Sequence, residues 1–491
     1  MGSFQLNLNT VVLPAYWELV EPEEGKFDFS LIKNHIDEAK KRDLKLVFLW
    51  FGAMKNAKST YAPTWVLADK QRFPRAQFSS KKASHDSKLL PLSIFNPELQ
   101  KADSLAFSAL TAFLADYDKS HTVIALQVQN EAGILGDSRD RSALANAMWT
   151  SAVPKKLMNY LTANANLLNS EFKALWAKSG QKTDGTWQQV FGTSAYAESV
   201  FMAWRVSDYI NHIAAAGKKH KRLPMYANAW LGPQNPNDQA GVYPSGGPVP
   251  NVFDIYKATA DSIDWLSPDI YHDDFDGWAG QYAHPGNPLF VPEAKFIVGN
   301  LFTTLGKYKG FGFSPFGIEN GIEGNQISKV YGLLKGMLDV VVAAQREGRI
   351  TSVVLNEQDA IENIEMGDYA IQAENQVEAR HKFLLDIGVT FNQSPPPSIP
   401  QSRGDIMVQQ SDVRPMALFI QLSKKEFLIL GQNVNFVFKH KSDSSSPVEY
   451  AKVEEGVYQN GKWIAWRVLN GDERLSLLPD HDFRTIRIQL L

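Results

Sequence analysis

Seven short, continuously apolar runs, each followed by a stretch that lacks their pattern, constrain this chain more than any other feature. The runs are Thr10–Trp17, Leu44–Phe51, Thr122–Val128, Leu223–Trp230, Trp265–Tyr271, Leu289–Glu293 and Gly312–Ile318. They do not alternate apolar with polar residues, which is the signature of strands buried on both faces, as in parallel sheets. Between them, Leu31–Arg42, Asn96–Asp116, Ala197–Ala215 and Gln326–Arg346 repeat apolar residues at helical spacing, with Asp28 and Ser30 placed to cap the first. Strands and helices in alternation predict a parallel α/β architecture. An open doubly wound sheet and a closed barrel both fit; the lack of G-x-G-x-x-G after the first strand weighs against the dinucleotide-binding version.

Beyond residue 349 the pattern changes to short strands separated by turns. Ile350–Leu355, Tyr369–Ala373, Asp405–Gln410, Ala417–Gln421, Glu426–Leu430, Asn435–Lys439 and Lys462–Val468 read as strands. Asn460-Gly461 and Asn470-Gly471 read as hairpin turns. Ser394–Gly404, rich in Pro and Ser, reads as an extended connector. The expected organisation is therefore an α/β domain over 1–348 and an antiparallel, sandwich-like β-domain over 349–491.

Composition removes several functions. With no Cys among 491 residues, disulfides, thiolate nucleophiles and thiolate-held metals are excluded. The ten His form no H-E-x-x-H or H-x-H pair, so neither a metal nor another cofactor is expected. A formal charge of −3 without a basic run gives no reason to expect nucleic acid. No apolar stretch approaches the ~18–20 residues of a membrane span, and the first residues lack a signal-peptide pattern. As the chain stands, a soluble, cytoplasmic protein with no membrane partner is expected. A serine hydrolase would need a G-x-S-x-G elbow, and none is present.

What remains is carboxylate chemistry. Residues at the C-terminal ends of parallel barrel strands share one mouth, so a Glu directly after an apolar run is the pattern to seek. Val123-Ile-Ala-Leu-Gln-Val-Gln-Asn-Glu131 and Leu289-Phe-Val-Pro-Glu293 both end this way. Either one alone is more often a helix cap or a solvated loop residue. Together, at two strand ends of one alternating unit, they make the pair that glycosidic bond hydrolysis needs. Asn130 is placed to bind a sugar hydroxyl beside Glu131. Trp17, Trp50, Trp65 and Trp230 stand at or after strand ends and are candidate sugar platforms, although each is more often packing. Glu18 is a candidate hydroxyl ligand, Glu319 a weaker one, and His272 reads as a loop histidine.

The run Trp17-Glu18-Leu-Val-Glu21-Pro22-Glu-Glu-Gly25-Lys-Phe27-Asp28-Phe29 resembles the W-x-x-x-E-P-x-x-G-x-F-D-F signature of the clan A β-galactosidases. Ala62-Pro63-Thr64-Trp65, Gln129-Asn130-Glu131, Pro268-Asp269-Ile270-Tyr271 and Val291-Pro292-Glu293 follow in that clan's order. The resemblance is to glycoside hydrolase family 35 with an added C-terminal β-domain. It implies a (β/α)8 TIM-type barrel, with Glu131 as acid/base, Glu293 as nucleophile, and Tyr271 as the tyrosine that hydrogen-bonds the nucleophile. It further implies an exo-acting β-galactosidase with a carbohydrate substrate. The chain departs from the family twice. Seven runs put Glu131 on the third strand and Glu293 on the sixth, as though the family's first strand were missing. The run Trp50–Asn56 also replaces the family's usual turn, which points to another β-glycoside. A non-catalytic sugar-binding protein on a truncated barrel is the reading from a different class.

Overall fold

The computed structural model describes residues 6–79, 90–320, 325–356, 361–389, 412–459, 461–480 and 482–491. Seven apolar runs become strands: β1 (Thr10–Tyr16), β2 (Lys45–Lys55), β3 (Val123–Asn130), β4 (Met225–Trp230), β5 (Trp265–Ile270), β6 (Phe290–Ala294) and β7 (Gly312–Pro315). They make a parallel sheet in sequence order, β1 to β7. This is the order of a (β/α) barrel, with seven strands among the described residues. In β2, every residue from Leu46 to Met54 is buried, which is why the run shows no alternation. Register sets faces: Tyr16 lies opposite Phe51, and Ala15 opposite Trp50.

Two compact units can be distinguished: Asn9–Ile270 with His284–Pro288, and Met1–Leu8 with Tyr271–Ala283 and Leu289–Leu491. In the first, the Pro97–Tyr117 helix is started by Asn96, whose side chain accepts from the Glu98 and Leu99 N–H groups, with Pro97 in the first turn. The Ser30–Lys41 helix is handled differently from expectation. Ser30 is its first residue rather than its cap, and Asp28 accepts the Ser30 N–H at 2.8 Å from outside the helix. Between β3 and β4 lie four helices, Ala143–Trp149, Lys155–Ala163, Ser170–Lys178 and Trp187–Phe191, before the long Ala195–Lys218 helix.

In the second unit, the single helix expected over Gln326–Arg346 breaks into Gln326–Gly336 and Leu338–Arg346. A Cβ at Gly336 would stand 2.0 Å from the Tyr458 carbonyl oxygen, so the backbones approach where only glycine fits. The C-terminal strands are β8 (Ile350–Val354), β9 (Ile361–Met366), β10 (Tyr369–Asn375), β11 (Met416–Ser423), β12 (Glu426–Gln432), β13 (Val434–His440), β14 (Asp443–Pro447), β15 (Tyr450–Gln459), β16 (Lys462–Val468) and β17 (Arg484–Leu490). They form an antiparallel four-stranded sheet, β14-β13-β10-β9, and a six-stranded sheet, β16-β15-β17-β12-β11-β8. Phe419, Phe427, Phe436, Phe438, Ile486 and Ile488 belong to the apolar core shared by strands of both sheets.

Two turn expectations have different outcomes. β15 and β16 pair up to Gln459 and Lys462 across Gly461, whose φ is 73°; Asn460 lies outside the described residues. Asn470-Gly471 is not a hairpin. Asn470 and Glu473 form a capping box that opens the short Gly471–Leu475 helix, because an Asn followed three residues later by a Glu satisfies helix donors reciprocally. The expected strand Asp405–Gln410 and connector Ser394–Gly404 lie outside the described residues.

Candidate active site

In the first unit the ends of β2, β3, β4 and β5 are tied by a buried polar network. Glu131 directly follows β3 and is 7% exposed. Gln129 and Glu131 adopt left-handed backbone angles, with φ of 66° and 44°. For residues with side chains, each costs about 1–2 kcal/mol. Surrounding hydrogen bonds hold them there. Asn228 of β4 accepts the Glu131 N–H through Oδ1 at 2.9 Å, and its Nδ2 donates to Asn130 Oδ1 (3.2 Å) and Asp269 Oδ2 (2.6 Å). Gln127 Nε2 donates to Asn130 Oδ1 at 2.9 Å and to the Gln129 carbonyl at 3.0 Å. At the end of β2, Asn56 Oδ1 accepts from Asn130 Nδ2 (3.2 Å) and from Lys55 Nζ (2.5 Å).

Behind this layer sits Asp103, on the Pro97–Tyr117 helix and 0% exposed. Its carboxylate accepts from Trp50 Nε1 (2.7 Å), the Ala53 N–H (3.0 Å), Gln129 Nε2 (2.8 Å) and the Tyr209 hydroxyl (2.9 Å). Burial pushes its pKa up, against the four donors that pull it down.

Neither Trp17 nor Trp50 can serve as a sugar platform. They are 0% and 1% exposed. Trp17 donates to Glu21 Oε2 at 2.9 Å and packs edge-on against Trp65, and Trp50 reaches back to Asp103 and Phe107. Strand alternation explains the correction: Trp50 points at the helix layer, so its neighbour Phe51 points the other way. There Tyr16, Phe51 and Tyr61 form a ring cluster with centroids 5.2–5.6 Å apart. Glu18 binds this group through its N–H, which donates to the Tyr61 carbonyl, and burial raises the pKa of its carboxyl. Trp65 donates to the Glu21 carbonyl at 3.2 Å and lines a groove of about 480 Å³ beside Phe27, Arg72 and Leu105, along the Pro97–Tyr117 helix rather than at the strand ends. Trp230 ends β4 with 39% of its surface exposed.

The loop after Glu131 is fixed by charge. Gly133, at φ 134°, lies where a Cβ would meet the Ser245 carbonyl at 2.8 Å. Further on, Arg141 binds Asp137 Oδ1 (2.8 Å) and Glu198 Oε2 (2.9 Å), and Arg139 donates to Glu198 Oε1 (3.0 Å).

In the second unit, Glu293 lies in β6 and is 9% exposed. The Tyr271 hydroxyl donates to its Oε2 at 2.8 Å. The Tyr271 ring stands edge-on to Phe316 with centroids 6.1 Å apart. Lys295 pairs with Asp273 at 2.9 Å. His272 and Glu319 are exposed.

Four groups escaped the sequence reading. Asn228 and Asp103 each carried a signal, a polar residue in an otherwise apolar strand and in the apolar stripe of a helix. Tyr16 and Tyr61 had none beyond being aromatic.

Residues 2–190 match a family model described as β-galactosidase, of the glycoside hydrolase family 42 type. The matching model is of the family 42 type and not of the family 35 expected from the sequence. Residues 327–478 match a domain of unknown function (DUF5597). No curated protein matches the chain. Among solved structures, it is similar to the catalytic domain of β-amylase from Paenibacillus polymyxa, with 15% identity, TM-score 0.44, and coverage of 69% of this chain and 93% of that one. It is also similar to β-galactosidase from Bacillus circulans sp. alkalophilus, with 12% identity, TM-score 0.44 and 69% of this chain covered. The β-galactosidase from the psychrophilic Marinomonas ef1 gives 12% identity, TM-score 0.42 and 70% of this chain covered. The chain spans 53% and 57% of the lengths of these two β-galactosidases. No helix among the described residues is long and apolar enough to cross a membrane.

Proposed function

We propose that this protein is a retaining, exo-acting glycoside hydrolase that removes a terminal β-linked sugar, with a β-galactoside as the first substrate to test. Glu293 attacks the anomeric carbon as nucleophile, and Glu131 protonates the departing glycosidic oxygen. Glu131 then takes a proton from water, whose oxygen displaces Glu293 from the glycosyl-enzyme and restores both carboxyls. In this reading residues 1–348 carry the chemistry, and 349–491 form an accessory β-region.

The observation that carries the reading is the Tyr271 hydroxyl donating to Glu293 Oε2. A donor aimed at a mostly buried carboxyl favours its ionised form, the state a nucleophile needs. The strained turn at Glu131, held by Asn228, supports a placed acid/base, since strain of this kind collects at functional sites. Asn130 binds a sugar hydroxyl, Glu18 a second, and Tyr16, Phe51, Tyr61 and Trp230 supply ring surfaces. The Lys55–Asn56–Asn130 chain at the end of β2 favours testing sugars other than galactose, because it puts a cation next to a hydroxyl ligand.

The test is nitrophenol release from a panel of aryl β-glycosides, galactoside included, by wild type and Glu293→Gln. Turnover that disappears in the variant supports the reading and names the sugar. Equal turnover by both proteins removes Glu293 as nucleophile, and folded wild type inert on every sugar favours a binding protein.

A further inference from the structure

We propose that Asp103 is a positioning residue for Glu131, acting through Gln129; the inference rests on the acid/base reading of Glu131 above. Asp103 lies on a helix face otherwise made of Leu99, Ala102, Ala106, Phe107 and Leu110, where an apolar side chain would serve packing better. All four of its partners are neutral donors. A fully buried carboxyl held without a cation is costly.

What it fixes is Gln129. The side-chain amide of Gln129 is used at both ends: Nε2 donates to Asp103 Oδ2, and Oε1 accepts the Met54 N–H at 2.7 Å. That clamp holds a residue with φ of 66°, two positions before Glu131 with φ of 44°. The Asn56 and Ala57 N–H groups, just past β2, hold the Asn130 and Glu131 carbonyls, but the clamp is what holds the Gln129 side chain against relaxation toward ordinary strand angles. Such a change rotates the peptide planes on which Glu131 stands. Gly52 keeps the space for this cluster. A Cβ there would fall 2.5 Å from Trp50 Nε1, 2.6 Å from Asp103 Oδ1 and 2.6 Å from Gln129 Nε2.

The test compares two leaving groups. An acid catalyst matters for a poor leaving group and little for 2,4-dinitrophenolate, which departs without a proton. Asp103→Asn and Gln129→Met are assayed with 4-nitrophenyl and 2,4-dinitrophenyl glycosides of the sugar that wild type accepts, beside Glu131→Gln. The expected result, read in kcat/KM because that ratio reports the steps up to departure of the leaving group, is a fall of about tenfold or more on the 4-nitrophenyl substrate and under about threefold on the dinitrophenyl one. Tyr209→Phe, which removes a different donor from Asp103, should lower thermal stability without this leaving-group dependence. Equal loss on both substrates, or a loss of stability alone, overturns the proposal. If Glu131→Gln itself shows no leaving-group dependence, the acid/base reading has failed instead. Hydrogen exchange decides independently of activity. Asp103→Asn should lose protection across 127–133 while the Ala195–Lys218 helix keeps it; unchanged protection at 127–133 overturns the clamp.

Discussion

The Tyr271 hydroxyl donates to Glu293 Oε2 across 2.8 Å, joining the residue that follows β5 to a mostly buried carboxyl in β6. A hydrogen bond to a charged group contributes about 1.5–3 kcal/mol. Tyr271→Phe keeps the ring that meets Phe316 and removes only this donor. Its kcat/KM should fall by roughly 10- to 100-fold, with a stability loss of no more than about 3 kcal/mol. A steady-state assay on the best aryl glycoside checks it, and an unchanged kcat/KM would detach Tyr271 from the chemistry.

Tyr16, Phe51 and Tyr61 pack as one ring cluster in which Phe51 is buried and Tyr16 half-buried. Tyr61 is half-buried, and its ring lies 5.2 Å from Tyr16 and 5.3 Å from Phe51. An aromatic contact is worth about 0.5–1.5 kcal/mol beyond its area, so Tyr61→Ala should raise KM by about 3- to 10-fold and leave kcat within about twofold. Trp17→Phe, which removes a bond to Glu21 in the interior, should lower stability and leave KM alone. The reverse pattern would return the tryptophans to the sugar site.

That contrast marks what the sequence could tell. The seven runs identified the strands to within four residues at either end, because burial on both faces leaves a continuous apolar trace, as in Leu46–Met54. It could not tell which of two adjacent aromatics faces the strand ends. Trp50 and Phe51 differ only in strand parity, and parity is set by register with β1, a relation between distant segments. Asn228 was likewise visible only as an oddity in Met225–Trp230; its purpose appears once β3 lies beside it. β15 was missed because its buried residues, Val453 and Gly456, stand three apart and give no period of two. The helices between β3 and β4 were missed for their shortness, three or fewer turns each.

In the C-terminal region, the Phe438 side chain is 0% exposed and contacts the Tyr369, Phe427, Phe436 and Tyr450 rings. Phe438→Ala removes the centre of the core between the two antiparallel sheets. Such a truncation costs about 3–5 kcal/mol. Denaturant titration should show the corresponding loss. A shift below about 1 kcal/mol would mean that the sheets collapse around the cavity or that this core contributes little to the measured transition.

The loop beyond Glu131 gives a prediction whose sign depends on pH. The Asp137 side chain is 4% exposed. Burial alone would raise its pKa, but the Arg141 guanidinium and the Ser79 N–H and hydroxyl outweigh that and hold it well below the carboxylate range. Glu198, also bound by Arg141, is lowered in the same way against its burial. A folded-state pKa below the unfolded one means that the unfolded chain binds more protons as the solution is acidified. The stabilisation is therefore complete above the unfolded value of about 3.9 and drains away as pH falls toward the folded one. Asp137→Asn leaves Arg141 with one carboxylate in a mostly buried setting, at a cost of about 3–5 kcal/mol near pH 7. Thermal melts of wild type and variant should stand well apart at pH 7 and converge below about pH 4, where wild type loses the advantage that the variant never had. A gap that stays constant from pH 7 to pH 3 would show that the Arg141 pairing does not set the ionisation of Asp137.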